Sequence, residues 1–167
     1  MLLEAVAHDG LLRGSDLVEP LDGSHVRRFL QQLGLPRRLA LSLHAADDAL
    51  RSEIMPVNDR YPLADVLEAC HRFYAAKRRL VFVEYVMLAG VNDRYEQALA
   101  LADVLDPKVF KVNIIPYNPT GGPFTGSSRP AIDAFRAVLE ERGLRATVRL
   151  TRGRDIDAAC GQLAAKA

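Results

Sequence analysis

Apolar residues along this chain alternate between short continuous runs and stripes at helical spacing. The runs at 39–43, 80–88, 109–115 and 146–150 have strand length and predict four β-strands. Acidic residues at 46–51 and Pro62 mark helix starts. The helical stripes consist of Val26, Phe29, Leu30 and Leu33; Leu63, Val66, Leu67, Cys70 and Tyr74; Ala98, Leu101, Ala102 and Leu105; and Ile132, Phe135, Val138 and Leu139. Strands and helices therefore alternate along the chain.

The predicted strands are almost entirely apolar, which is typical of strands buried on both faces. Together with the alternating helices, this predicts an α/β fold with a parallel sheet, either open or forming an arc of a barrel. Glycines and a proline break residues 1–23, which we expect to be irregular. A Pro/Gly/Ser loop at 116–129 is long enough to suggest a function.

Composition narrows the class of protein. The 167 residues are 49% hydrophobic, enough for one globular domain with its own core. The 22 basic residues nearly balance the 21 acidic ones, so total charge does not demand a nucleic-acid partner. The N-terminus lacks a basic region and no apolar run reaches membrane-spanning length, so we expect an unanchored cytoplasmic protein without membrane partners.

The carboxyl ends of parallel strands form the usual ligand-binding edge of such a fold. Four segments follow the predicted strands there: Ser42 to His44, 84–92, 116–119 and 152–160. Serine and histidine can bind the sugar or base of a nucleotide, and Asn118 offers both a donor and an acceptor. The alternative is that these side chains are a helix cap, a buried histidine and a turn residue.

The chain has two cysteines, Cys70 and Cys160, too few for a disulfide framework and too distant in sequence for a zinc knuckle. Cys70 lies on an apolar helix stripe and is expected in the core. Cys160 follows Arg152 and Arg154, which would favour a reactive thiolate, although neighbouring alanines are equally compatible with a buried structural cysteine. A basic cluster, Lys77 to Arg79, is expected to be a solvated helix end; the alternative is that it lies on the same side as Arg149, Arg152 and Arg154 and contacts phosphates.

Several segments together resemble the C-terminal half of the RlmN/Cfr family of radical S-adenosylmethionine RNA methyltransferases. The resemblance covers residues 24–165 and is most specific at Ser42-Leu43-His44 and around Cys160. The matching segments are Leu39 to Asp48, Ile54 to Asn58, Tyr61 to Leu63, Glu84 to Leu88, Gly90 to Asp93, Lys111 to Pro119, Arg152 to Gly153 and Asp155 to Leu163.

This resemblance implies a partial (β/α) barrel, S-adenosylmethionine and a [4Fe-4S] cluster as cofactors, and methylation of adenine C2 in 23S rRNA and, in some members, tRNA. It implies that Ser42, Leu43, His44 and Asn118 contact S-adenosylmethionine. It further implies that Cys160 receives a methyl group from one S-adenosylmethionine, and that a radical made from a second one activates this methyl for attack on the base.

The chain departs from the family in lacking the CxxxCxxC cluster motif, the Gly-Glu motif and the second catalytic cysteine. Two cysteines cannot supply three iron ligands, so no metal ligand is assigned in this chain. We therefore expect residues 24–167 to be half of a methyltransferase barrel, completed by a missing N-terminal half or a complementing chain, and inactive alone. The alternative is a non-catalytic α/β remnant that at most binds RNA or a nucleoside weakly.

Overall fold

A computed structural model describes residues 38–118 and 123–149 of the chain. The predicted helix at 26–33, the irregular segment at 1–23 and Cys160 lie outside these residues. The described elements, in chain order, are strand β1 (Leu39–Ser42), helix α1 (Asp48–Ile54), a short 3-10 helix (Pro56–Asp59), helix α2 (Leu63–Lys77), strand β2 (Val81–Met87), helix α3 (Tyr95–Val104), strand β3 (Phe110–Pro116), helix α4 (Arg129–Glu141) and strand β4 (Arg145–Val148).

The four strands form one parallel sheet in the order β1-β2-β3-β4, which confirms the predicted α/β fold. β2 and β3 end together, because Met87 pairs with Pro116, whereas β1 ends three residues earlier, where Ser42 pairs with Glu84. Each crossover carries a helix, as parallel neighbours require. All four carboxyl ends therefore lie at one edge.

One face of the sheet forms the core with the helices. Leu41, Val83, Tyr85 and Val112 are at most 1% exposed on that face. The apolar stripe of α2 packs into the same cluster, and it includes Cys70 as predicted. The pKa of the Cys70 thiol is raised to about 12 by burial, so this cysteine is an inert part of the core.

Local signals set the ends of the helices. The Asp47 side chain caps α1 by accepting from the backbone N–H of Leu50 at 2.8 Å, and Ser128 caps α4 in the same way. Pro62 immediately precedes α2, as expected, and Arg78 ends it in a left-handed conformation (φ 53°). These short-range signals therefore fix where α1, α2 and α4 begin and where α2 ends.

Candidate functional site

The loop after β1 forms the centre of the candidate site. Leu43 extends the ladder by one bond, because its backbone N–H donates to the Glu84 carbonyl at 3.1 Å. The next residue, His44, then turns into the left-handed region with φ 62°. That region is uncommon for residues other than glycine and marks backbone strain held by its surroundings. His44 is nonetheless only 4% exposed.

The His44 ring is held in one protonation state. The backbone N–H of Val86, on β2, donates to its Nδ1 at 3.1 Å, so the proton of the neutral ring is on Nε2. Burial, and secondarily the positive charge of Arg51, lowers the pKa of His44 to about 4. The Nε2 atom is buried and has no hydrogen-bond partner among the residues described. The ring therefore presents a neutral, unused N–H donor.

Arg51, on α1, supports the β1 end from behind. It is 1% exposed, and its Nε donates to the Leu43 carbonyl at 3.2 Å while an Nη donates more weakly to the Ser42 carbonyl at 3.5 Å. Its other Nη donates to the Tyr61 carbonyl at 3.1 Å and to the Asn58 side chain. A buried guanidinium with this many acceptors fixes the carbonyls at the strand end.

A second polar group extends that support towards α2. The amide of Asn58 donates to the carboxylate of Asp48 at 2.9 Å and to the Ser52 hydroxyl at 3.0 Å. Asp48 also accepts from the backbone N–H of Leu63 at 2.8 Å, and this bond is the main reason that its pKa is lowered. Side-chain hydrogen bonds therefore tie α1 and the 3-10 helix to the start of α2.

Asn92 connects the ends of β1 and β2 and is fully buried. Its amide nitrogen donates to the carbonyls of His44, at 2.9 Å, and of Val86, at 2.8 Å. Its side-chain oxygen accepts from the backbone N–H of Leu88 at 2.7 Å. The sequence analysis placed 84–92 at the ligand-binding edge but did not single out Asn92, because one of its partners, His44, lies far away in sequence.

A polar row crosses the face of the sheet away from the core. Strand register places Ser42, Glu84, Asn113 and Thr147 side by side, one from each strand. The Asn113 amide donates to the Glu84 carboxylate at 2.9 Å, and the Thr147 hydroxyl lies 3.4 Å from the Asn113 side-chain oxygen. This row reaches the end of β1 at Ser42 but lies three residues before the ends of β2 and β3, and it gives that face hydrogen-bonding capacity beside Ser42.

The structure brings together part of the predicted site. Ser42, Leu43 and His44 form one unit at the end of β1. Asn118 is exposed two residues after β3, at the same edge of the sheet. Cys160 lies outside the described residues, so its proximity to this edge stays a prediction.

The alternative of a joint basic patch is wrong for Arg149, and Arg152 and Arg154 lie outside the described residues. Arg78 and Arg79 precede β2 at the amino edge of the sheet, whereas Arg149 follows β4 at the carboxyl edge. The parallel direction of the strands separates these groups by the length of a strand. Arg79 instead lines a shallow cavity with Arg38 and Lys111, and the Lys111 ammonium lies 3.6 Å from the centre of the Phe82 ring.

An iron–sulfur cluster does not fit the residues of this chain. No group of three histidine, cysteine, aspartate or glutamate side chains that could hold a metal ion occurs in residues 38–118 and 123–149. The whole sequence has only two cysteines, and one of them is the buried Cys70. A ligand with a hydrogen-bond acceptor does fit, because the buried Nε2–H of His44 lacks an acceptor among the described residues. Within these residues no helix is long and apolar enough to cross a membrane.

Known proteins were compared with the chain at the level of sequence. A scan against models of protein families finds no match. The chain is 50% identical over 139 residues to "Probable dual-specificity RNA methyltransferase RlmN" of Chloroflexus aurantiacus, covering 79% of this chain and 37% of that protein. It is 47% identical over 130 residues to "Dual-specificity RNA methyltransferase RlmN" of Pseudomonas fluorescens, covering 75% and 34%. The chain thus spans about a third of the length of these relatives.

Solved structures agree with the sequence comparison. The crystal structure of a radical SAM methyltransferase from Sphaerobacter thermophilus matches 81% of this chain and 41% of that one, with a TM-score of 0.75 and 42% identity. A domain of a pyruvate-formate lyase-activating enzyme from Bacteroides vulgatus matches with a TM-score of 0.58 at 18% identity, which shows the fold alone. In sequence and in fold, the chain therefore matches part of the RlmN/Cfr family of radical S-adenosylmethionine methyltransferases.

Proposed function

We propose that this chain forms the part of an RNA methyltransferase that binds S-adenosylmethionine and carries the methyl-accepting cysteine. The proposed reaction is methylation of adenine C2 in 23S rRNA and tRNA in the cytoplasm. Its support is the similarity to dual-specificity RNA methyltransferases and, in the structure, the buried Nε2–H of His44 without a partner at the carboxyl edge of the sheet. A satisfied core histidine would have no reason to leave this donor without a partner.

The roles follow the strand ends. Ser42, Leu43 and His44 would hold the nucleoside part of the cofactor, with the hydroxyl of Ser42 and the neutral ring of His44 as side-chain contacts. Asn118 would add an amide from the end of β3. When bound, S-adenosylmethionine supplies both the methyl group and the radical chemistry. The residues of this chain bind and orient it, and the Cys160 sulfur would take up the methyl group.

The chain does not supply the whole reaction centre. It spans about a third of its relatives, and its two cysteines cannot ligate a [4Fe-4S] cluster. We propose that residues 24–167 are the C-terminal half of the barrel and that another polypeptide segment provides the cluster ligands. The purified 167-residue chain is then expected to methylate no RNA by itself.

The first experiment is the intact mass of the native polypeptide that contains the Cys160 peptide. A mass well above 18.4 kDa with an added methyl on Cys160 supports the proposal. A mass equal to that of the chain, an unmodified Cys160 and no co-purifying iron–sulfur partner would instead favour a non-catalytic remnant.

A matched pair of cysteine variants tests the role of the thiol in that native polypeptide. Cys160→Ala should abolish adenine methylation, measured by mass spectrometry of digested RNA. Cys70→Ala is the control, because Cys70 is a buried core residue whose thiol has a raised pKa. The Cys70→Ala enzyme should keep its methylation activity. Full activity of the Cys160→Ala enzyme would refute the carrier role.

A further inference from the structure

The conformation of His44 needs an external support. Its φ of 62° lies in the left-handed region, where a side chain with a Cβ is strained. Such a backbone persists only where neighbouring groups hold it. Arg51 holds the carbonyls of Ser42 and Leu43 but makes no hydrogen bond to His44 itself.

Asn92 makes that direct bond. Its amide nitrogen joins the carbonyl of His44 to the carbonyl of Val86, the residue whose N–H binds the His44 ring at Nδ1. A closed cycle of hydrogen bonds thus runs from the backbone of His44 through the amide of Asn92 and the backbone of Val86 to the His44 imidazole. One side chain therefore controls both the backbone turn of His44 and the group that orients its ring.

The chemistry of this position is specific for asparagine. Two donors are used on the two carbonyls and one acceptor is used on the N–H of Leu88. Aspartate matches the shape but has no donors when ionised, and serine has one short donor. Asn92 is fully buried, so water cannot replace a lost bond without entering the core.

We propose that Asn92 is a positioning residue for the cofactor: it locks His44 so that the Nε2–H is offered as a fixed donor to an acceptor on the nucleoside of S-adenosylmethionine. The identity of this ligand rests on the function proposed above. The lock itself is a property of the folded chain and can be tested separately.

The experiment compares Asn92→Asp and Asn92→Ser with Tyr85→Phe in the native polypeptide that contains this chain. Tyr85 is the matched control, since its hydroxyl donates to the backbone carbonyl of Asn92 at 2.8 Å and leaves the side-chain bonds of Asn92 untouched. All variants are first checked for folding by circular dichroism. Two Asn92 variants are used so that one folded variant suffices.

The first readout is the ¹⁵N NMR spectrum of His44 at neutral pH. In the wild type and in Tyr85→Phe, Nδ1 should show the shift of an unprotonated acceptor and Nε2 that of a protonated nitrogen. In the Asn92 variants, the two shifts should move towards each other as the ring exchanges between tautomers. A purely structural loosening would instead change the Tyr85→Phe spectrum as much as the Asn92 spectra.

The second readout is affinity for S-adenosylhomocysteine and, in turnover, the KM for S-adenosylmethionine. In the Asn92 variants, loss of one fixed donor is expected to lower the affinity for S-adenosylhomocysteine and to raise the KM for S-adenosylmethionine, each about tenfold. The kcat should change less than the KM. Wild-type NMR shifts together with unchanged affinity in a folded Asn92 variant would overturn the proposal. If the wild type binds no cofactor, the proposed function fails, while the NMR comparison still decides whether Asn92 locks His44.

Discussion

Acidification should weaken the fold through His44. The folded-state pKa of this residue is about 4, against 6.5 for a free histidine, because burial disfavours the charged ring. Between these values the unfolded chain binds a proton that the folded chain excludes. The free energy of unfolding therefore has its full value above about pH 6.5 and falls as the pH is lowered towards 4. At about 1.4 kcal/mol per pH unit, the loss amounts to about 3 kcal/mol.

That loss is a large part of the total stability expected of a domain, about 5–15 kcal/mol. The assay is urea unfolding followed by circular dichroism at several pH values from 7.5 to 4, for the wild type and for His44→Gln. Carboxylates also titrate in this range, so the diagnostic quantity is the difference in slope between the two proteins. His71→Gln, at an exposed position on α2, is the control for losing a histidine. Equal slopes for wild type and His44→Gln would refute the buried neutral ring.

Two further predictions concern the support of the site. Arg51→Met should lower the free energy of unfolding by about 3–5 kcal/mol, because it leaves buried carbonyls without a donor. The control, Arg72→Met, loses only an exposed ion pair and should lower it by less than about 1 kcal/mol. Urea unfolding measures both changes. Gly126→Ala should lower both stability and cofactor affinity, because a Cβ there would lie 2.8 Å from the Tyr117 backbone oxygen and displace the segment that carries Asn118. The control is Gly90→Ala, whose Cβ meets no atom within 4 Å. It should lower stability alone, because φ at this position is 72°. Unchanged affinity in Gly126→Ala, measured by calorimetry, would contradict this.

The fold was predictable because its main signals are local or periodic. Continuous apolar runs predicted the four strands to within two residues, because the core face of β1, β2 and β3 is apolar and the opposite face also carries apolar residues such as Phe82, Val86 and Ile115. Glu84, which interrupts the second run, belongs to the polar row on the face away from the core. The misplaced basic patch had a different cause. Charge alone groups Arg78 and Arg79, which precede a strand, with Arg149, which follows one. The direction of the strands puts these residues at opposite edges of the sheet.

The candidate site was predictable only in outline. Strand-end reasoning located Ser42, Leu43 and His44, because the carboxyl edge of a parallel sheet follows from topology. It missed Arg51 and Asn92, whose function depends on contacts between distant segments: Asn92 binds a carbonyl 48 positions earlier in the chain. The left-handed turn at His44 also has no signature in a residue that is not glycine. Asn92 lies two residues after Gly90, which has φ 72°, and that turn after a strand was the available signal.

The two faces of the sheet differ in a way that bears on how this chain works. On the helix side, buried apolar residues of the strands and of α2, α3 and α4 form one continuous core. On the other side, half-buried apolar residues such as Phe82, Val86 and Ile115 are mixed with polar and charged groups, and Lys111 pairs with Arg145 on the neighbouring strand. Neighbouring like charges destabilise a sheet unless an anion or an acidic group lies near. Among the described residues, Val86 and Asn92 already hold His44 from the helix-covered side of the strand edge, so the other face is left to bind an anion or an acidic group that would offset this pair of like charges.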